Sequence, residues 1–194
     1  MPRAKTLQKT DLIELNEAYN SMLIWFFSFP TEAWSLSDLA KNLEIAKTTA
    51  NKITKQLEKE GFLKIEEIGK SWRIRCNQQH SYMTTKKIAY NLEMIYEANL
   101  ISIVQEAIPQ YKAIILFGSY RKGDDTEKSD IDLAVEVADD DDIQIVPLGL
   151  LPTLGWRKDI TVNLHVFTRN KIDHNVFANI ANGILLDGFL EVRP

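Results

Sequence analysis

A chain of 194 residues with 45% apolar and 26% charged residues holds one large or two small globular domains, and disorder is not its default state. Its single cysteine, Cys76, excludes an intramolecular disulfide framework and fits a reducing compartment, so a cytoplasmic location is expected. The net charge of −4 is unevenly spread: residues 1–87 carry 14 Lys and Arg against 10 Asp and Glu, a net of +4, and residues 88–194 carry 9 against 17, a net of −8. A mildly basic half joined to an acidic half suggests two modules with different partners. The N-terminus is polar through Asn20, so no signal peptide is expected. The apolar run MLIWFFSF, residues 22–29, is far shorter than the roughly 18 to 20 residues of a membrane span and reads as core, with no membrane partner.

Residues 10–29 predict a helix, since Leu12, Leu15, Tyr19, Leu23 and Phe26 recur at three- and four-residue steps and Pro30 ends the pattern. Ser35 followed by Asp38 resembles a capping box ahead of a short stripe of Leu36, Leu39, Ala40 and Leu43. A tight turn over residues 44–46 leads to a second helix from Lys47, with Ala50, Ile53 and Leu57 on its buried face and Gly61 as its stop. Residues 62–68 and 71–75 alternate as two strands about a Gly69-Lys70 turn. Helix, turn, helix and hairpin is the order of a winged helix-turn-helix. Lys47, Thr48, Thr49, Asn51, Lys52 and Lys55 lie on the exposed face of the second helix, where such side chains reach phosphates and base edges in a major groove. Arg73 and Arg75 face outward on the wing, while Trp72 and Ile74 face in. Double-stranded DNA is the expected partner, and a homodimer the expected oligomer, because duplex half-sites are two-fold related. A solvated helix face, or a protein-binding module, is the plainer alternative. By pattern, residues 10–80 resemble the MarR-type winged-helix family.

Residues 82–107 predict a helix with a break near Asn91, and Pro109 ends it. The domain boundary falls within residues 80–92, giving units 1–87 and 88–194. Residues 113–117 (AIILF) form a buried strand. Gly118 then lets the backbone turn, and Ser119 adds a hydroxyl; a Gly-Ser turn entering a helical segment offers oriented donors to a phosphate chain. Ten residues on, SDIDLAVEV reads as a second strand with Asp130 and Asp132 on one face. Their Cα atoms lie about 7 Å apart, and two carboxylates so placed repel unless a cation sits between them. Mg²⁺, with one or two carboxylates and substrate phosphate oxygens, answers that need. A lone Asp-x-Asp is ordinarily a solvated pair; the combination with the Gly-Ser turn points instead to a nucleoside triphosphate.

Leu116, Phe117, Gly118, Ser119, Asp130, Ile131, Asp132 and Leu133, with Gly123 between, resemble the nucleotidyltransferase superfamily of polymerase β type, particularly its minimal members, over residues 92–190. The resemblance implies an α+β two-domain chain whose C-terminal nucleotidyltransferase-type domain carries a mixed sheet. It implies two Mg²⁺ held by Asp130 and Asp132, and a third carboxylate on a neighbouring strand. The candidate strand is residues 158–167, where Ile160, Val162, Leu164 and Val166 form the apolar face. The family's aspartate falls on Asn163, which is neutral and no base. Asp159 lies about 13 Å away along an extended strand, and His165 about 7 Å away. His165 is read chiefly as a satisfied histidine and secondarily as a base. Arg121 and Lys122 are placed where a cation steadies a triphosphate, or simply at the surface. Residues 139–142 read as a solvated acidic loop, residues 149–156 as a loop over the site, and residues 176–190 as a helix and a final strand. The resulting expectation is an enzyme that moves a nucleoside monophosphate from a nucleoside triphosphate to a hydroxyl. The alternative is a DNA-binding regulator whose nucleotide-binding domain does little chemistry. The family adds a variant, an antitoxin-like protein acting on a partner toxin.

Overall fold

The computed structural model describes residues 17–138 and 143–192. The expected helix start at residues 10–16 and the acidic loop at residues 139–142 lie outside the described residues. The fold is α+β, built on two sheets.

In the N-terminal part, α1 (Glu17–Ser28) buries Tyr19, Met22, Leu23, Trp25, Phe26 and Phe27. So many large apolar side chains on one short helix require partners on several sides. β1 (Ala33–Trp34), α2 (Leu36–Asn42), α3 (Lys47–Lys59), β2 (Leu63–Ile68) and β3 (Ser71–Cys76) supply them. The strands pair antiparallel in the order β1-β3-β2. Ser35 caps α2 by accepting from the Asp38 amide at 3.1 Å. The Asp38 carboxylate takes the Ser35 hydroxyl at 2.7 Å, so the capping box closes on the side chain rather than the backbone. Ala50, Ile53 and Leu57 of α3 are buried as their spacing demands, with Thr54 beside them.

The stretch expected as one helix with a break at Asn91 is three helices: α4 (Ser81–Thr84), α5 (Lys86–Glu97) and α6 (Leu100–Ala107). The breaks fall at Thr85, with φ −124° and ψ −79°, and at Asn99, in the left-handed region that asparagine tolerates. Asn91 sits inside α5 and is buried. A polar residue in an apolar stripe suggests a break only while its distant partners are unknown.

The C-terminal part consists of β4 (Tyr111–Phe117), α7 (Gly118–Lys122), β5 (Ile131–Val137), β6 (Gln144–Leu154), β7 (Arg157–Phe167), α8 (His174–Ala181) and β8 (Ile184–Gly188). The sheet order is β6-β7-β5-β4-β8, with β5 and β7 parallel and the other pairs antiparallel, so the sheet is mixed. The stretch 149–156, expected as a loop, belongs mostly to the strand β6, which pairs with β7 through a register shift between Pro147 and Gly149. Two prolines in the run argue against a central strand, but an edge strand has one side free of the ladder. One sheet face packs Ile114, Leu116, Ile131, Leu133 and Leu164 against Ile95, Leu100 and Val104 of α5 and α6. The other buries Ala113, Ile115, Ala134 and Phe167 against Ile180 of α8. At the β6–β7 tip, Trp156 meets Trp25 of α1 with ring centroids 5.4 Å apart. Among the described residues, no helix is long and apolar enough to cross a membrane.

Candidate functional site

β4 ends at Phe117 because Gly118 takes φ +71°, a conformation that a side chain disfavours. A second constraint acts at the same residue: a Cβ there would stand 2.8 Å from Oδ2 of Asp132. The turn is therefore pressed directly against one of the two acids. α7 follows at once, and Gly123 closes it at φ +76°, against the main chain of Met83.

Phe117 pairs with Asp132 across β4 and β5, and Asp132 pairs with Asn163 across β5 and β7. The parallel register thus brings together three positions that the sequence separates by up to 46 residues. Asp130 stands one residue before β5 rather than within it, and its Oδ2 lies 3.5 Å from the Asn163 amide nitrogen. Asp130 is exposed, while Asp132 and Asn163 are half-buried. His165 belongs to the cluster: its Nε2 is 3.2 Å from Oδ1 of Asp132, and its ring packs edge-on to Phe117 at 4.8 Å. A carboxylate only accepts, so in this contact Nε2 donates and Asp132 Oδ1 accepts. The strand pattern hides this approach, because neighbouring strands lie only about 4.8 Å apart and a histidine one ladder step further on still reaches across.

The other expected members are less tightly gathered. Arg121 is half-buried and Lys122 exposed, both in the last turn of α7. Asp159 is exposed, four residues before Asn163, at φ +52°. On α3, Lys47, Thr48, Lys52 and Lys55 are exposed, and Thr49 and Asn51 half-buried. Lys55 lies over the Trp72 ring at 5.5 Å. Arg73 is exposed and pairs with Glu66 at 3.9 Å, and Arg75 is exposed.

Beneath the acid cluster lies a buried polar network that sequence reasoning did not find. Lys87 of α5, fully buried, pairs with Asp125 at 3.2 Å and also donates to the Asp125 carbonyl. Asn91, one turn on, donates to the Tyr120 carbonyl at 3.0 Å and to the Asp125 carboxylate at 2.8 Å. Arg157 donates to the Tyr120 hydroxyl and, at 2.6 Å, to the Ser129 carbonyl. Burial raises the Asp125 carboxyl above its ordinary range and lowers the Lys87 ammonium below its own, each shift opposed by the partner's charge. The one signal available in the sequence was the i, i+4 spacing of Lys87 and Asn91 on an otherwise apolar helix face.

For Mg²⁺ the donor chemistry fits in part. Two carboxylates and an adjacent amide suit one ion whose other positions go to substrate phosphate and water. A second ion calls for a third carboxylate, and Asn163 brings a neutral oxygen instead. Among the described residues no group of three His, Cys, Asp or Glu side chains is disposed to hold a metal by itself.

Residues 97–182 match the family model described as a nucleotidyltransferase domain. The matched stretch begins at the last residue of α5, ends at the residue capping α8, and takes in the turn, both acids, Asn163 and His165. The C-terminal unit is therefore similar to nucleotidyltransferase domains, which supports a nucleotidyl-transfer activity. No curated protein matches the chain.

Proposed function

We propose that the protein transfers a nucleoside monophosphate from a nucleoside triphosphate to a hydroxyl acceptor. One observation carries this reading: Asp130, Asp132 and Asn163 converge beside a turn whose glycine leaves no room for a side chain. The Gly118–Ser119 turn binds the phosphate chain through backbone amides and the Ser119 hydroxyl. Arg121 and Lys122 steady its charge. Asp130 and Asp132 would hold Mg²⁺, with Asn163 beside them, and the ion when bound would neutralise phosphate charge and orient the reacting oxygens.

In the reaction the acceptor oxygen bonds to the α-phosphorus, the bond from that phosphorus to the bridging oxygen breaks, and pyrophosphate leaves with the electron pair. The hydroxyl proton needs an acceptor that Asn163 cannot be. The Nδ1 lone pair of His165, a ring steadied by Asp132 and Phe117, can take it. The test is incubation of the full chain with Mg²⁺ and each labelled nucleoside triphosphate. Incorporation into an acceptor is expected from the wild type and not from Asp130→Ala; transfer that survives the substitution would sink the assignment.

The N-terminal unit is proposed as a winged-helix reader of double-stranded DNA of the MarR type, with residues 1–87 as the DNA unit and residues 88–194 as the transfer unit. Lys47 and Asn51 line a polar recess of about 270 Å³ together with Ser35, Ser37, Lys70 and Ser71, a setting suited to a phosphate. Lys52, Lys55, Arg73 and Arg75 extend that surface, and a homodimer would match two half-sites. Asn163 favours a second reading, a DNA-binding regulator that binds nucleotide and scarcely turns over, with an antitoxin-like role toward a partner protein as its variant. Robust wild-type turnover would remove it; Asn163→Asp that restores transfer to a silent wild type would establish it.

A further inference from the structure

Arg157, the first residue of β7, is 8% exposed. Its Nε has no hydrogen-bond partner, and among the described residues it forms no ion pair with a carboxylate. A guanidinium buried without a contacting counter-charge costs stability. What it touches is specific. Nη1 donates to the hydroxyl of Tyr120, the residue after Ser119, and the guanidinium carbon lies 5.6 Å from that ring's centroid. Nη2 donates at 2.6 Å to the carbonyl of Ser129, the residue before Asp130. One buried side chain thus joins the two walls of the site.

The ladder alone does not set that spacing. Asp132 is fixed by its pairing with Phe117 and Asn163, whereas Asp130 precedes the strand and has no ladder partner. The loop before Asp130 is tied locally, by Thr126 and Ser129 exchanging an Oγ and a carbonyl contact at 2.9 and 3.1 Å. Asn91 ties Asp125, at the start of that loop, to the Tyr120 carbonyl of α7, but Ser129, next to Asp130, lies beyond its reach in the chain. Among the described residues, Arg157 supplies the side-chain link between Tyr120 and Ser129.

We propose that Arg157 is the positioning residue of the acid pair: by bridging Tyr120 and Ser129 it sets the distance between the Gly118–Ser119 turn and Asp130, and so governs affinity for a magnesium-bound triphosphate that it does not touch. This rests on the nucleotide-site reading above. The experiment uses the full chain and compares wild type, Arg157→Met, Arg157→Lys and Tyr120→Phe by MgATP titration calorimetry, thermal melting, and amide hydrogen exchange without nucleotide.

Arg157→Met is expected to bind MgATP about 10- to 100-fold more weakly, since an ångström of misplacement suffices for such losses. Amides of residues 124–131 should then exchange about 10-fold faster. Arg157→Lys, which keeps charge and one of the two bonds, should recover part of the affinity. Tyr120→Phe, which loses a hydroxyl and leaves Arg157 Nη1 without that acceptor, should weaken binding about 3- to 10-fold at a somewhat lower melting temperature while the chain stays folded, and it carries the test if Arg157→Met does not fold. Unchanged affinity and unchanged exchange in the folded variants would overturn the proposal. If the wild type binds neither MgATP nor the other magnesium triphosphates, the nucleotide-site reading fails. The exchange rates then decide by themselves whether Arg157 holds Asp130 in place.

Discussion

Two polar clusters lie within one sheet edge of each other and are built to opposite rules. In the lower one, Lys87, Asn91, Asp125, Tyr120 and Arg157 are buried, and they meet one another through ion pairing and hydrogen bonds. In the upper one, Asp130, Asp132, Asn163 and His165 face outward with acceptor capacity left over. Burial makes an unmet polar group costly, so the lower cluster closes on itself apart from the Arg157 Nε. Solvent keeps an unmet carboxylate cheap, so the upper cluster can remain open to a ligand. The first kind of cluster supports the fold and the second presents chemistry.

The comparison breaks most directly at the acids. Asp132→Asn is expected to cut nucleotidyl transfer by about 10²- to 10³-fold while leaving the melting temperature unchanged or higher, because it relieves repulsion between carboxylates. A fall in both would mean that the upper cluster supports the fold as well. The lower cluster should behave in the opposite sense. Asp125→Ala leaves Lys87 buried without a counter-charge and is expected to cost about 3 to 5 kcal/mol in denaturant unfolding. The double variant Lys87→Met with Asp125→Leu should recover much of that loss. A single variant as stable as wild type would show that water reaches the pair.

A smaller effect tests the third polar surface, on α3. Lys47→Ala and Lys52→Ala should each reduce the slope of log affinity for duplex DNA against log salt by about 1, read by fluorescence anisotropy, without altering nucleotide binding. An unchanged slope would return these lysines to the solvated face of a helix. Smallest is the effect at Cys76, whose thiol burial pushes up to about 12. A folded pKa above the unfolded one stabilises the protein below the ordinary thiol value and is lost as pH rises toward the folded value. Wild type should therefore lose stability relative to Cys76→Ala from about pH 9 upward, by at most about 1.4 kcal/mol per pH unit. Native protein should resist alkylation at pH 8; rapid alkylation would show that the thiol is not held in the core.

Local rules already contain much of this molecule. Pro30, Ser35, Gly61 and the alternation through Trp72 and Ile74 are short-range signals, and the elements they bound lie where those signals put them, within a residue or two. The Gly118 turn and the strand after it were legible because each depends on neighbouring residues alone, although Asp130 falls one residue before that strand rather than within it. The break placed at Asn91 and the stretch 149–156 were not legible. Asn91 is helical because Tyr120 and Asp125 accept its amide, and β6 is a strand because β7 pairs with it. The family resemblance already pointed to Asn163 on a neighbouring strand, but only the tertiary structure decided that it pairs directly with Asp132, that His165 reaches Asp132, and that Lys87 and Arg157 lie beneath. Those contacts join residues 31 to 38 positions apart, and no periodicity along a chain encodes a distance that arises only when strands and helices pack.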